Sequence, residues 1–249
     1  IDYDTLRAIN PRVICCSISG FGATGPYSKR PAYDVVIQAM SGGMSITGEP
    51  GGAPCRAGVP INDEAAGVFA VCGMLAALYA REQTGVGQKV ECSLLGVGVS
   101  LMSYLVGNYL NLGIVPGPMG SGGGHGTAVQ GAYQTKDSYI VVAGMGFSHF
   151  WKSLCHAWGR EELATDPRYD AREKRTQHKD ELEAIACDVF LTKTTDEWLK
   201  LLEAADIPCS RVNTVVDVAS DPQVLHENMV VAVESRAGPI KMVGTPIKI

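Results

Sequence analysis

The spacing of apolar and polar positions changes repeatedly along the chain, and each change marks an element. The run "RVICCSIS" (12–19) is almost continuously apolar and predicts a buried strand. Residues 33–40 carry apolar side chains at helical spacing and predict a short helix. A loop rich in glycine and proline, "GEPGGAPCRAGVPIN", leads to a long apolar helix over about 63–82. "GVGQKVECSLL" predicts a turn and a strand, and 98–113 a further helix. Beyond a loop over 116–127 the pattern shifts. "GAYQTKDSYIVVAG" predicts a hairpin about Lys136 and Asp137, followed by amphipathic helices over 148–158, 178–191 and 195–205. "IPCSRVN" predicts a short strand, 215–228 a broken helix and the tail a β-like segment. No internal repeat is present. The order predicts an α/β region to about residue 120 and a smaller α+β region over about 128–225, with the last stretch returning to the first region.

Composition narrows the function classes. With 46% hydrophobic residues, 249 residues suffice to fill a core. A net charge of −5 without a basic run lacks the electrostatic footprint of a nucleic-acid binder. Eight cysteines show no C-x-x-C spacing. Cys15, Cys16, Cys72, Cys92 and Cys187 lie in apolar runs and are expected to be buried free thiols of a cytoplasmic protein. The longest apolar run, 65–80, is short for a membrane span and flanked by charges, so a buried core helix is expected. The chain opens on Ile1 without a signal-peptide pattern and ends on a strand-like segment, as if cut from something longer.

Candidate chemistry begins at "SISGFGATGPYSKRPAYD" (17–34), where Gly20, Gly22 and Gly25 spell G-x-G-x-x-G. A dinucleotide-binding turn needs its third glycine to open a helix whose amides receive the pyrophosphate. Pro26 and Pro31 block such a helix, and no acidic residue stands about twenty positions on. The five histidines are scattered, with no H-E-x-x-H, so no metal site is indicated. Asp63 starts the long helix. There it suits either an N-cap of backbone amides or an ionised, approachable nucleophile. The glycine cluster 120–126 suits either a linker or a lid over a site.

Together these segments resemble the class III CoA-transferases, the family of formyl-CoA transferase, carnitine CoA-transferase and α-methylacyl-CoA racemase. The resemblance is carried by 17–34, "QAMSGGMSITGEP", the stretch from "GVPINDEAAG" to "KVECSLL", "SGGGHG" and "GAYQTKDSYIVVA". Their order covers essentially the whole chain. The implied fold is α/β: part of a Rossmann-like large domain, with its N-terminal half outside this sequence, plus a smaller α+β domain. The implied boundaries are 1–128 for the large-domain portion, 129–222 for the small domain and 223–249 for a segment returning to the large one.

The resemblance also implies roles. The family's catalytic D-x-x-x-G falls on Asp63 and Gly67 in "DEAAG". The implied route is covalent, through an aspartyl anhydride and an aspartyl-CoA thioester, and an aspartate suits it because it is ionised at neutral pH. Tyr33 and Asp34 match the tyrosine and acidic residue of formyl-CoA transferase-like members, Tyr33 lying thirty residues before Asp63. The racemase branch has histidine in place of that tyrosine, so transferase is favoured over isomerase. From the residues alone, Tyr33 equally suits a half-buried aromatic with a bonded hydroxyl. Gly122, Gly123 and Gly124 resemble the loop that closes over the intermediates, with His125 where formyl-CoA transferases carry glutamine. Arg30 is a candidate contact for a CoA phosphate. No permanent cofactor or metal is implied, coenzyme A and acyl-CoA being substrates. The implied assembly is an interlocked homodimer acting on a small carboxylate, without nucleic acid or membrane. A non-catalytic CoA-ester-binding subunit is the alternative outside catalysis, and this segment alone is expected to be inactive.

Overall fold

The computed structural model describes residues 2–122 and 127–249, which fall into two compact units, 1–124 and 125–249. In the first unit, α1 (Tyr3–Ile9) is capped by Asp2, which accepts from the Thr5 amide at 2.8 Å. It leads to β1 (Cys15–Ser19), α2 (Asp34–Met40), α3 (Gly43–Ile46), α4 (Ile61–Thr84), β2 (Lys89–Ser93), α5 (Leu94–Leu101) and α6 (Ser103–Leu112). Strands β1 and β2 pair in parallel, from Cys15 opposite Lys89 to Ser19 opposite Ser93. Such a pair needs a crossover, supplied here by the helices between the strands.

Helix α4 packs against β1, β2, α2 and α5. The sequence predicts it as a buried core helix, and the structure corrects this. Its buried positions are Asn62, Ala66, Ala70 and Ala77, whereas Val68, Phe69, Val71, Leu75 and Tyr79 are exposed. The stripe seated on the sheet is made of alanines, which allow close approach, and the bulky side chains fall on other faces. The single helix expected over 98–113 is two, α5 and α6, meeting at Met102.

The second unit has a larger core. Strands β3 (Gly131–Gln134), β4 (Tyr139–Val142) and, later in the chain, β5 (Cys209–Arg211) form an antiparallel sheet in that order. Between β4 and β5 come α7 (Ser148–Trp158), α8 (Glu161–Thr165), α9 (Arg172–Gln177), α10 (Lys179–Phe190) and α11 (Thr195–Ala204). Helix α7 buries Trp151, Leu154, Cys155 and Trp158, the i, i+3, i+4, i+7 stripe of an amphipathic helix. Leu182, Ala186 and Phe190 of α10 and Trp198 and Leu202 of α11 complete the cluster. The Trp198 indole N–H donates to the Phe190 carbonyl at 2.8 Å, so the buried ring carries no unmet donor.

Three polar ties hold this unit's turns. Asp137, at the β3–β4 turn, accepts from the Thr195 amide at 2.8 Å and the Thr195 hydroxyl at 2.9 Å. Fully buried Val129 has φ of 57°, a left-handed conformation unusual for a β-branched residue. It is held by its N–H donating to Glu183 at 2.9 Å, while the Tyr133 hydroxyl donates to the other Glu183 oxygen at 2.6 Å. Helices α12 (Val215–Val218) and α13 (Pro222–His226) precede an antiparallel hairpin of β6 (Val230–Val233) and β7 (Ile240–Val243). Segment 223–249, expected to return to the large domain, holds all of α13 but its first residue, Pro222, together with this hairpin.

All eight cysteines are free thiols. Burial of the five singled out in the sequence is corrected: Cys16, Cys72 and Cys187 are exposed, Cys15 and Cys92 half-buried, and Cys155 alone is buried. Strand β1 and helices α4 and α10, which carry the exposed thiols, are each covered on one face only, so an apolar run did not translate into burial.

Candidate active site

The glycine motif is not a nucleotide turn. Residues 21–33 contain no helix, and α2 begins nine residues after Gly25. Gly22 and Gly25 have φ of 95° and 91°, the region that favours glycine. Gly20 is fixed by close approach, since a Cβ there would lie 2.3 Å from the Ala32 Cβ. The loop folds back on itself and delivers Tyr33 and Asp34 to the start of α2.

Tyr33 is the extended N-cap residue of α2, and its side chain is 77% exposed. Asp34 points the other way and is 7% exposed. One of its carboxylate oxygens accepts from the Asn62 backbone N–H at 2.9 Å, and the other from the Gln38 side-chain amide one turn along α2. Gln38 is itself buried. Its carbonyl accepts from the Ala57 N–H at 2.8 Å, and its NH₂ also reaches the Val59 carbonyl at 3.4 Å. Asp34 therefore closes an orphan amide at the N-terminus of α4, and Gln38 anchors the loop entering it.

Asp63 is the third residue of α4, whose N-cap is Pro60. The capping role open to it in the sequence is not realised. The Asn62 amide is taken by Asp34, the Ile61 amide donates to Val59 O at 2.9 Å, and the Glu64 amide to Pro60 O at 3.1 Å. The Asp63 carboxylate is exposed and has no hydrogen-bond or ion-pair partner among the described residues. Its negative charge stands at the positive end of a 24-residue helix. The Asp34–Asn62 bond joins the two helix starts, so Tyr33, Asp34 and Asp63 belong to one locality.

Arg30 is exposed and stacks on Tyr27, its guanidinium carbon 4.2 Å from the ring centre. Gly122 closes the first described stretch, while Gly123, Gly124 and His125 lie outside the described residues. Among the described residues no cluster of His, Cys, Asp and Glu has the arrangement of a metal site.

Sequence reasoning passed over Gln38 and Asn62. Gln38 stands four residues after Asp34, the spacing at which helical side chains meet. Asn62 is a polar residue opening an apolar helix, and its side chain is buried with the Nδ2 unpartnered among the described residues.

The model of CoA-transferase family III matches residues 1–249. An acyl-CoA transferase of Fusarium pseudograminearum is 37% identical across the whole chain, which covers 55% of that protein. An acetyl-CoA:oxalate CoA-transferase of Acetobacter aceti is 35% identical, with 62% of it covered. The human succinyl-CoA:glutarate CoA-transferase is 35% identical, with 56% covered. The chain thus spans a little over half the length of these relatives. Among solved structures, a CAIB/BAIF family protein from Brucella suis superposes with a TM-score of 0.85 at 33% identity, over all of this chain and 64% of that one. Rv3272 of M. tuberculosis gives 0.87 at 28% identity, over all of this chain and 65% of that one. With its parallel pair, its antiparallel second unit and a match along its full length, the chain belongs to CoA-transferase family III, as a partial family fold.

Proposed function

We propose that the protein containing this chain moves CoA from an acyl-CoA to a small carboxylic acid, with Asp63 as covalent nucleophile. The observation that carries this reading is an exposed, unpartnered carboxylate in the first turn of a long helix whose N-terminus is tied to α2. A nucleophile must be accessible and carried on a fixed backbone, and this position meets both needs.

In the first step an Asp63 oxygen attacks the thioester carbonyl carbon, the C–S bond breaks and CoA leaves as thiolate. The thiolate attacks the aspartyl carbonyl of the resulting anhydride, the donor acid departs as carboxylate, and an aspartyl-CoA thioester remains. The acceptor carboxylate then attacks that thioester and expels the thiolate. Attack of the thiolate on the acceptor's carbonyl yields the new acyl-CoA and restores Asp63. The negative charge of each tetrahedral intermediate develops beside the α4 N-terminus, where amide dipoles favour it. Tyr33 offers its hydroxyl as a donor at the mouth of the site, and Asp34 acts from beneath by holding α4. In this reading Gly122–Gly124 and His125 cover the intermediates, Arg30 meets a CoA phosphate, and the protein works as an interlocked cytoplasmic homodimer in which 223–249 returns to the large domain. The oxalate and glutarate CoA-transferases among the relatives support a small carboxylic acid as acceptor.

The test uses the full-length protein, incubated with succinyl-CoA and other acyl-CoAs, quenched with hydroxylamine and mapped by peptide mass spectrometry. A hydroxamate on Asp63, absent without acyl-CoA and in Asp63→Asn, is expected. Exchange of an α-proton with deuterated water and no transfer would turn the reading to isomerisation. Tight CoA-ester binding with an unmodified Asp63 would turn it to a binding subunit.

A further inference from the structure

In the second unit, the loop between β4 and α7 borders a cavity of about 270 Å³, lined by Thr127, Gln130, Gly144, Gly146, Phe147 and Arg172. No acidic side chain is in its wall. The loop is firmly held. Gly144 turns at φ of 88°, the Phe147 N–H donates to the Gly144 carbonyl at 2.9 Å, and Met145 is fully buried.

Polar donors converge on one gap in this wall. Gly146 has no side chain, and a Cβ there would stand 3.9 Å from the Thr127 hydroxyl oxygen and 3.8 Å from Arg172 Nε. Thr127 is 8% exposed, and its hydroxyl has no partner among the described residues. That hydroxyl is buried yet not sealed off, so it opens on the cavity it lines. Arg172 is exposed, and its five N–H donors can serve more than one acceptor. Helix α7 starts here without a side-chain cap, and the Ser148, His149 and Phe150 amides have no acceptor among the described residues. A further charge stands behind the loop. Arg175, one turn along α9 from Arg172, is 1% exposed. It donates to the Tyr169 carbonyl at 2.9 Å and the Met145 carbonyl at 3.1 Å, but pairs with no carboxylate among the described residues. Buried charges are ordinarily paired, because an isolated one is costly. An anion beside Gly144 and Gly146, the neighbours of the carbonyl that Arg175 holds, would supply the countercharge through space, without contact.

We propose that this cavity binds a phosphate-type dianion, either free phosphate or the phosphoryl group of a small phosphomonoester, held by Arg172, the Thr127 hydroxyl and the first amides of α7. The positive end of the helix dipole adds to the two guanidinium charges. With no acid in the wall, these favour a dianion over a monoanion, since the attraction scales with ligand charge. The exposed Phe147 ring in the same wall offers an apolar rest for the body of an ester. The inference does not depend on the transfer reading.

The test uses the full-length protein. Radiolabelled phosphate is titrated at pH 8 and constant ionic strength, with phenyl phosphate and acetate as competitors. Phosphate is expected to bind, and acetate to displace it only at about tenfold or higher concentration. Arg172→Gln is expected to weaken phosphate by about tenfold or more, the effect of losing a charged hydrogen bond. Gly146→Ala, whose Cβ meets nothing closer than 3.8 Å, keeps the fold and is expected to weaken phosphate by filling the gap. Crystals grown with tungstate, a phosphate mimic located by its anomalous signal, are expected to show the ion between Arg172 and Thr127. Phenyl phosphate binding more tightly than phosphate identifies an ester as the occupant, and weaker binding identifies free phosphate; either upholds the site. No phosphate binding, acetate competing as well as phosphate itself, tungstate only elsewhere, or tungstate in the crystal without phosphate binding in solution would each overturn the proposal, with no need for a variant to fold. A folded Arg172→Gln or Gly146→Ala variant with unchanged phosphate affinity would overturn it as well.

Discussion

The Asp34 carboxylate accepts a hydrogen bond from the Asn62 backbone N–H at 2.9 Å, across 28 residues of sequence, and so couples the start of one helix to the start of another. Both groups are buried, which makes the bond costly to lose. Asp34→Ala takes away the acceptor of the Asn62 N–H and the nearer of the two acceptors of the Gln38 amide, leaving Gln38 only the 3.4 Å contact with Val59 O. We expect a loss of about 2–6 kcal/mol of stability, at about 1–3 kcal/mol for each of the two groups, measurable by urea denaturation. Turnover should fall along with it, because Asp63 sits on the released helix. Unchanged stability would show that α4 is held by packing alone.

Gly67 lies one turn after Asp63, and a Cβ built there meets nothing within 4 Å. By contrast, a Cβ on Gly73 of the same helix would meet Val90 at 2.7 Å. Packing thus accounts for Gly73 but not for Gly67. Gly67→Ala should raise stability by about 0.5–1 kcal/mol from helix propensity. It should also slow transfer by crowding the approach to Asp63. Greater stability with full activity would remove Gly67 from the site.

The Asp137 carboxyl is held below the usual carboxylate range, first by the Thr195 backbone N–H and then by the Thr195 and Thr135 hydroxyls. Its folded-state pKa lies below the unfolded value, so its stabilisation is full above about 3.9 and is lost as pH falls through the folded value. Unfolding of the second unit should therefore steepen below about pH 4. In Asp137→Asn that part of the acid dependence should vanish while the midpoint at pH 7 drops. An unchanged acid limb would sink this account.

Burial pushes the Cys155 thiol up to about 12. Its folded pKa exceeds the unfolded one of about 8.5, so its contribution is full below that value and lost as pH rises towards 12. At pH 8, iodoacetamide should label exposed Cys16, Cys72 and Cys187 before Cys155, which should react only on unfolding. Early labelling of Cys155 in the native protein would mean that the second core opens readily.

Elements with a strong local signal were legible from the sequence. Helix α7 occupies the predicted residues 148–158 because its apolar stripe is unambiguous, and the hairpin about Lys136 and Asp137 is present as β3 and β4. The prolines after Gly25 correctly argued against a nucleotide turn. What failed depends on three-dimensional neighbours. An apolar run such as 65–80 specifies a helix but not which face is covered, and here the alanines, not the larger residues, are buried. Met102 breaks the helix expected over 98–113 without a proline or glycine at that position. In the candidate site, the place of Asp63 at a helix start was legible, but position alone left a cap and a nucleophile both open, and its proposed role came from the family resemblance. The link from Asp34 to Asn62 was not, because it joins a side chain to a backbone amide far along the chain. The cavity at the start of α7 draws its wall from three separate stretches of chain, which no local pattern announces.

The parallel pair β1 and β2 carries a final consequence. Among the described residues each strand hydrogen-bonds along one side only, and the outer rows of amides and carbonyls are open sheet edges. Two such edges are templates that accept any compatible strand, whether from their own polypeptide or from a stranger. Residues 15–19 and 89–93 can pair only after the helices between them have been made, so this contact forms late. The sheet of the second unit also has edges, at β3 and β5, but its β3–β4 hairpin is local in sequence and closes early.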